Sequence, residues 1–362
     1  GNFAGLGFAF TDEPTATADY QELIGELGPF SLEVRPGPVT LVDAANASAP
    51  VTLGWTLEDG TTFQTAGAAD LVLLGTDWLV DWEPAILEIS LDPGDVLAWG
   101  VVRMRDLPWR RERDPWRILV AEVMLQQTHV DRVIPKWNAF LDAFATPAEC
   151  AAASLGDVLR LWQGLGYPRR ARNLHLAATV AVESNDGRLP DDLDGLLALP
   201  GVGPYTARAV LAFAFERDVA VVDTNIARIL ARTAGERLTP KVAQAVADSL
   251  VPQGDGWGWN QMLMDLGAMV CRPTPHCDEC PIADSCVWNR AGRPDPDPAI
   301  GSAGVSTKQA RFEGSNRQRR GAVMKAVSNG PRPAGDLDSD AVTQLVDDGL
   351  VVRRGDTISL PE

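Results

Sequence analysis

Hydrophobic and polar positions change their rhythm near residue 94. Before it, short β-type runs such as PVTLGWTLEDGTTFQTA and DLVLLGTDWLVDWEP alternate with turn signals, the pattern of antiparallel strands. One helix is expected there, over residues 20–27. After Asp92-Pro93-Gly94, helical periodicity takes over, with a first helix predicted over 95–104. A second is predicted over 116–128, started by Asp114 as cap and Pro115 in the first turn. It is apolar on most of its circumference, through Ile118, Leu119, Val120, Val123, Met124 and Leu125, so it should be buried. A third helix over 205–215 follows LPGVG, and a short apolar run at 219–222 delivers Asp223. Beyond a Pro/Gly/Ser-rich stretch, two further helices and the hairpin-like VVRRGDTISL close the chain.

The pattern leaves candidate chemistry in view. Glu122 sits inside the apolar helix, with Ile118 and Gln126 one turn to either side. Desolvation keeps such a carboxyl protonated, as a general acid near neutral pH requires; a Glu that reaches solvent or pairs with an Arg fits the same positions. Gly201 and Gly203 open a helix whose N-terminal N–H groups favour an anion, or else form a plain turn between core helices. Gly164, Gly166 and Tyr167 precede the basic run RRARNLH, where an aromatic beside arginines suits base stacking next to phosphate contacts, or a helix–helix turn with a packing Tyr.

Charge changes the picture once it is divided. The 362 residues carry a net −17, against nucleic-acid binding at first sight. Residues 1–94, however, hold fifteen acidic residues and one basic, Arg35, a net −14; the remainder holds 34 acidic and 31 basic, a net −3. Local basic patches are therefore possible, at Arg169, Arg170 and Arg172 and again at Arg317, Arg319 and Arg320. No run of about eighteen apolar residues is present, so no membrane span is expected. Without a basic start, a signal peptide is not expected either. Four of five cysteines, Cys271, Cys277, Cys280 and Cys286, follow C-x5-C-x2-C-x5-C. Such clustering points to a metal site, and spacing alone leaves a [4Fe–4S] cluster and a zinc ion level.

Taken together, LPWR, EVMLQQT, WQGLGY, RRARNLH, LPGVGPYTA, VVDTN, MDLGAMVC and the four cysteines resemble an adenine DNA glycosylase of the MutY type, in the helix-hairpin-helix superfamily. The resemblance covers residues 95–290 and extends more weakly to 362. It implies a multi-domain chain: a mainly α, two-lobed helix-hairpin-helix core over 95–290 with an iron–sulfur loop at 271–286. By resemblance, Glu122 protonates the adenine ring and Asp223 stabilises the positive charge growing on the sugar. Asn225 supports positioning nearby. Tyr205 stands where bifunctional relatives keep a Lys nucleophile, so a monofunctional enzyme is implied. Gln126 and Tyr167 look like wedge residues that fill the duplex, Gln127 lines the base pocket, and Gly201, Val202 and Gly203 hold a phosphate. Arg110 of LPWR and Arg172 of RRARNLH fall on the DNA side. The cysteines hold a [4Fe–4S] cluster, although the first gap is one residue shorter than the family's six. The partner is double-stranded DNA with an A:8-oxoguanine or A:G mispair, the chain a monomer, its place cytoplasmic and nucleoid-associated.

Residues 1–94 resemble the NTF2-like α+β domain of penicillin-binding transpeptidases, without any Ser-x-x-Lys pair to suggest wall chemistry. Residues 291–315 read as a linker and 316–362 as a small winged-helix-like module, too short for the Nudix-like domain that MutY-type enzymes commonly carry. Two other readings fit: a related mismatch or pyrimidine glycosylase, and a catalytically silent iron–sulfur DNA-binding protein.

Overall fold

The computed structural model describes residues 30–36, 40–41, 46–57, 62–74, 77–81, 91–302, 304–305 and 311–362. The chain divides into two compact units, Gly1–Leu87 and Glu88–Glu362. In the first, strands β1 (Phe30–Pro36), β2 (Thr40–Leu41), β3 (Asn46–Leu57), β4 (Thr62–Leu74) and β5 (Asp77–Asp81) form one antiparallel sheet in the order β1-β3-β4-β5, with β2 also on β3. The long β3–β4 pair carries the register Trp55↔Phe63, and β4–β5 continues with Leu71↔Val80. The strands expected from the alternating runs are thus present. The helix expected over 20–27 lies outside the described residues.

The second unit is helical. Helix α1 (Pro93–Val101) is capped by Asp92, and a short 3-10 turn (Pro108–Arg111) follows. Next come α2 (Pro115–Leu125), α3 (Val130–Ala143), α4 (Pro147–Ala152), α5 (Leu155–Leu161), α6 (Arg169–Ser184), α7 (Leu193–Leu197) and α8 (Pro204–Phe213). After the crossing to α9 (Thr224–Ala234) come α10 (Pro240–Ser249), α11 (Gly256–Met269) and α12 (Val287–Arg290). The C-terminal segment adds α13 (Asn316–Ser328), β6 (Arg332–Pro333), α14 (Ser339–Asp347), β7 (Val352–Arg354) and β8 (Thr357–Ser359), its sheet ordered β6-β8-β7.

Two lobes face each other. In one, α2 packs on α3 and α8, and α4 and α5 pack on α6; in the other, α11 is flanked by α1 and α9. Helix α1 approaches α11 so closely that a Cβ on Gly100 would overlap Met262. The C-terminal segment does not form a separate body. Val323, Met324, Leu345 and Leu360 share one apolar core with Phe140, Leu159 and Leu174 of the first lobe. Its docking is also polar: Gln163 Nε2 donates to Ser328 Oγ at 2.7 Å, and Gly156 N donates to Pro361 O at 2.9 Å. The expected linker is in part fixed as well. Ala299 and Ser302 are buried, and Asp297 accepts the Arg232 guanidinium.

Helix boundaries differ from the pattern in one telling place. The helix predicted over 116–128 ends at Leu125, because Gln126 leaves helical dihedrals and Gln127 enters the left-handed region at φ 54°. A non-glycine residue held there is uncommon and marks local constraint.

Candidate active site

Helix α2 starts on Asp114, whose carboxylate accepts from Arg117 N, and buries Trp116 and every residue of 118–124, Glu122 included. Its last turn has no glycine cap. Arg170 replaces one: its guanidinium donates to the carbonyls of Val123 (2.8 Å), Met124 (3.0 Å) and Gln126 (2.7 Å) and to Leu165 O (3.0 Å). A cation at a helix C-terminus answers both the orphan carbonyls and the dipole. The same arginine reaches Gly166 O and Thr128 Oγ1, so it fixes the glycine–tyrosine loop to the end of α2. Arg170 therefore works inside the protein, not on a phosphate as its place in the basic run suggested.

The glycine turn sets the facing element. Gly201 has φ +77°, and a Cβ there would lie 2.6 Å from Asn173 Cβ, so only glycine fits. Val202 is buried behind it. Gly203 caps α8 without a side-chain hydrogen bond, leaving first-turn N–H groups available to an anion. The helix then presents Tyr205, whose hydroxyl donates to Glu122 Oε2 at 2.9 Å. Burial pushes the Glu122 carboxyl up to about 7; the Tyr205 hydrogen bond and the Arg110 charge oppose this, and nearby Asp223 adds to it. Tyr205 itself is held well above its ordinary value by burial and these carboxylates, so it stays a donor.

Asp223 is the N-cap of α9. Its Oδ1 accepts from the N–H groups of Asn225 (2.9 Å) and Ile226 (2.8 Å), and its Oδ2 accepts from Asn225 Nδ2 (2.8 Å). Burial raises its pKa, while these hydrogen bonds and Arg228 pull it down. Arg228 continues the chain: it donates to Asn225 Oδ1 (2.9 Å), Gly267 O (2.7 Å) and Cys271 O (2.5 Å). The last residue is the first cysteine of the clustered four. Nothing in the local pattern marks the reach of Arg228 to Gly267 and Cys271, which lie on α11 and just beyond it.

Two predicted DNA-side residues, Arg110 and Arg172, behave differently from expectation. Arg110 is buried, with both terminal nitrogens on the Asp265 carboxylate at 2.6 and 2.9 Å; it is a structural pillar and is not presented to DNA. Arg105 completes that cluster through Asp265 Oδ1 at 2.6 Å. Arg172 in α6 lies beside Gly349 of the C-terminal segment, its Nε 3.6 Å from where a Cβ on Gly349 would sit. Gln126 faces α8, its amide donating to Thr206 Oγ1 at 3.4 Å, whereas the exposed Gln127 faces the other way, beside Tyr167.

Cys271, Cys277, Cys280 and Cys286 line one small cavity, of about 20 Å³. None of them is in a disulfide. Arg232 borders them, donating to Cys271 Sγ at 3.4 Å, and Thr233 Oγ1 is buried there without a partner. Burial pushes Cys280 up to about 12. Among the described residues, no three His, Cys, Asp or Glu converge as a single ion requires.

Comparison with known proteins gives one consistent signal. The model of the HhH-GPD superfamily base excision DNA repair proteins matches residues 120–253. The chain is 38% identical to the adenine DNA glycosylase of Mycolicibacterium smegmatis over 286 residues, 74% of this chain and 95% of that one. It is 40% identical to the adenine DNA glycosylase of Mycobacterium tuberculosis over 282 residues, 72% and 90% of the respective lengths. Among solved structures, a thermostable thymine-DNA glycosylase superposes with a TM-score of 0.52 at 28% identity, covering 55% of this chain and 95% of that one.

Proposed function

Since the chain belongs to the adenine DNA glycosylases of the HhH-GPD superfamily, and so removes adenine in base excision repair, we propose that Glu122 and Asp223 divide the reaction between them. The Glu122 carboxylic acid gives its proton to the adenine ring, so the electrons of the breaking N-glycosidic bond leave on a neutral base. Burial, which holds this acid protonated up to about pH 7, supports that role. Asp223, fixed by three hydrogen bonds, faces the oxocarbenium-like sugar as a preorganised negative charge. Water then adds to the sugar carbon, and its proton returns to the Glu122 carboxylate. Tyr205 orients the acid and offers no amine, so no Schiff base forms there and the enzyme is monofunctional. Base extrusion is required because the bond is out of reach inside the stack; Gln126, Gln127 and Tyr167 take the place of the extruded base and line its path. The glycine turn with its uncapped helix holds the phosphate beside the extruded nucleotide.

The substrate is duplex DNA with adenine opposite 8-oxoguanine or guanine, bound by a monomer; genomic substrate supports cytoplasmic, nucleoid-associated work. The four cysteines line one shared cavity, which supports a [4Fe–4S] cluster held by their thiolates. Bound there, the cluster would brace the 271–286 loop. The sheet order β1-β3-β4-β5 supports an NTF2-like accessory domain over residues 1–94, and β6-β8-β7 with α13 and α14 supports a winged-helix-like module over 316–362.

The observation that carries the reading is the Tyr205–Glu122 hydrogen bond beside Asp223. Glu122→Gln is expected to abolish single-turnover excision from an A:8-oxoguanine duplex while duplex binding persists. Full excision by the variant would overturn the assignment.

A further inference from the structure

A groove runs between the glycine–tyrosine loop and helix α13, with a volume of about 1030 Å³. That lies at the upper limit of the roughly 300–1,000 Å³ of small-molecule pockets, with room for an extended ligand. Its charge runs against the chain. Arg132, Arg169, Arg317, Arg320 and Lys325 line it, and no acidic side chain does among the described residues, in a protein of net −17. Asp348 binds Arg169 and Arg320 from behind, which leaves Arg132 and Lys325, exposed on opposite walls, as test cations. Phe312, 59% exposed, stands at the rim with Arg317 over its ring.

The groove joins the catalytic apparatus at the turn after α2. Gln126 faces the Glu122 side, and its neighbour Gln127 lines the groove together with Tyr167. Both Gln127 and Tyr167 are held at positive φ, 54° and 48°. Arg317 of α13 donates to the Tyr167 hydroxyl at 3.1 Å, which ties the C-terminal segment to the loop. The two sides of this turn thus serve two different ligands: the extruded base on one and a polyanion on the other.

We propose that this groove seats the sugar-phosphate backbone of the DNA strand opposite the excised adenine, with α13 as its outer wall. The inference rests on the glycosylase reading above and extends it: the C-terminal segment becomes half of the DNA-binding surface. Phosphates meet Arg132 on one wall and Lys325 and Arg317 on the other, while Phe312 covers a sugar or base edge.

The test uses the full chain and the Arg132→Ala/Lys325→Ala double variant, with an A:G duplex titrated by fluorescence anisotropy across 50–200 mM salt. Loss of two phosphate contacts should flatten the slope of log affinity against log salt by about 1.8, so the native advantage shrinks about twelvefold across that range. Neutral methylphosphonate linkages then identify the strand. Placed opposite the adenine, they should erase the difference between native and variant; placed in the adenine strand, they should leave it. An unchanged slope in a variant with native melting temperature overturns the proposal, and so does erasure by the adenine-strand substitution. Both side chains are exposed, and Lys325→Gln serves as a second variant if the double change unfolds the chain. Native adenine excision is scored separately, so absence of excision refutes the enzymatic reading while the salt slopes still decide the groove.

Discussion

Glu122 should cost the protein stability, and the cost should depend on pH. Its carboxyl titrates near 7 in the folded protein against an ordinary 4.5. A raised folded value means the native state binds more protons than the unfolded chain between those limits. Stability is then fully present below about pH 4.5, falls as pH rises, and levels off above about 7. A displacement of about 2.5 pH units corresponds to about 3 kcal/mol at pH 8. Glu122→Gln removes the ionisable group but keeps an oxygen to accept the Tyr205 hydroxyl. Its amide N–H₂ must lose some hydration, at about 1 kcal/mol. The variant should therefore be about 2 kcal/mol more stable than the native chain at pH 8 and indistinguishable from it at pH 5. Asp223 is also raised by burial, but it is present in both proteins, so the difference isolates Glu122. Urea denaturation of both chains at the two pH values, followed by tryptophan fluorescence, measures it. A variant less stable at pH 8, or a gain equal at both values, would refute burial as the source of the acid.

Three further outcomes follow from the same geometry. Single-turnover excision should fall about tenfold per pH unit above about 7 as Glu122 ionises, and Tyr205→Phe, which removes a bond favouring ionisation, should move that limb upward. Gly267→Ala places a Cβ 2.5 Å from Asn225 Cβ; forcing α9 from α11 should cost about 1–3 kcal/mol and slow excision through Asp223, read from melting and single-turnover assays. Asp265→Asn leaves Arg110 and Arg105 without their shared counter-charge and should destabilise the protein by about 3–5 kcal/mol in denaturant titrations.

Periodicity located the helices predicted near 95–104, 116–128 and 205–215 because their apolar faces are continuous in sequence. It misjudged ends where tertiary partners decide. Helix α2 runs short of residue 128 because Arg170, forty-five residues beyond its end, takes the last carbonyls and frees the next two residues to turn. The C-terminal helices and hairpin were legible as well, but not their docking. Its bonds, such as Gln163 to Ser328, join positions whose local patterns carry no sign of each other.

The same limit explains which site residues could be read. Glu122 stood out as a lone carboxyl in an apolar run, and Asp223 as a cap after a short strand-like run, since each breaks its local pattern. Arginines break no pattern, because an arginine on a helix satisfies the rules equally on a phosphate, a carbonyl fan or a buried carboxylate. Arg110, Arg170 and Arg228 all went inward, to Asp265, to the end of α2 and to Asn225. Each is tied to an element that carries Glu122 or Asp223: Arg110 lowers the Glu122 pKa, Arg170 seats the turn after it, and Arg228 braces Asn225 against Asp223. These three guanidinium groups thus hold the elements that carry Glu122 and Asp223, because hydrogen bonds to fixed carbonyls and carboxylates set two buried carboxyls at defined distances.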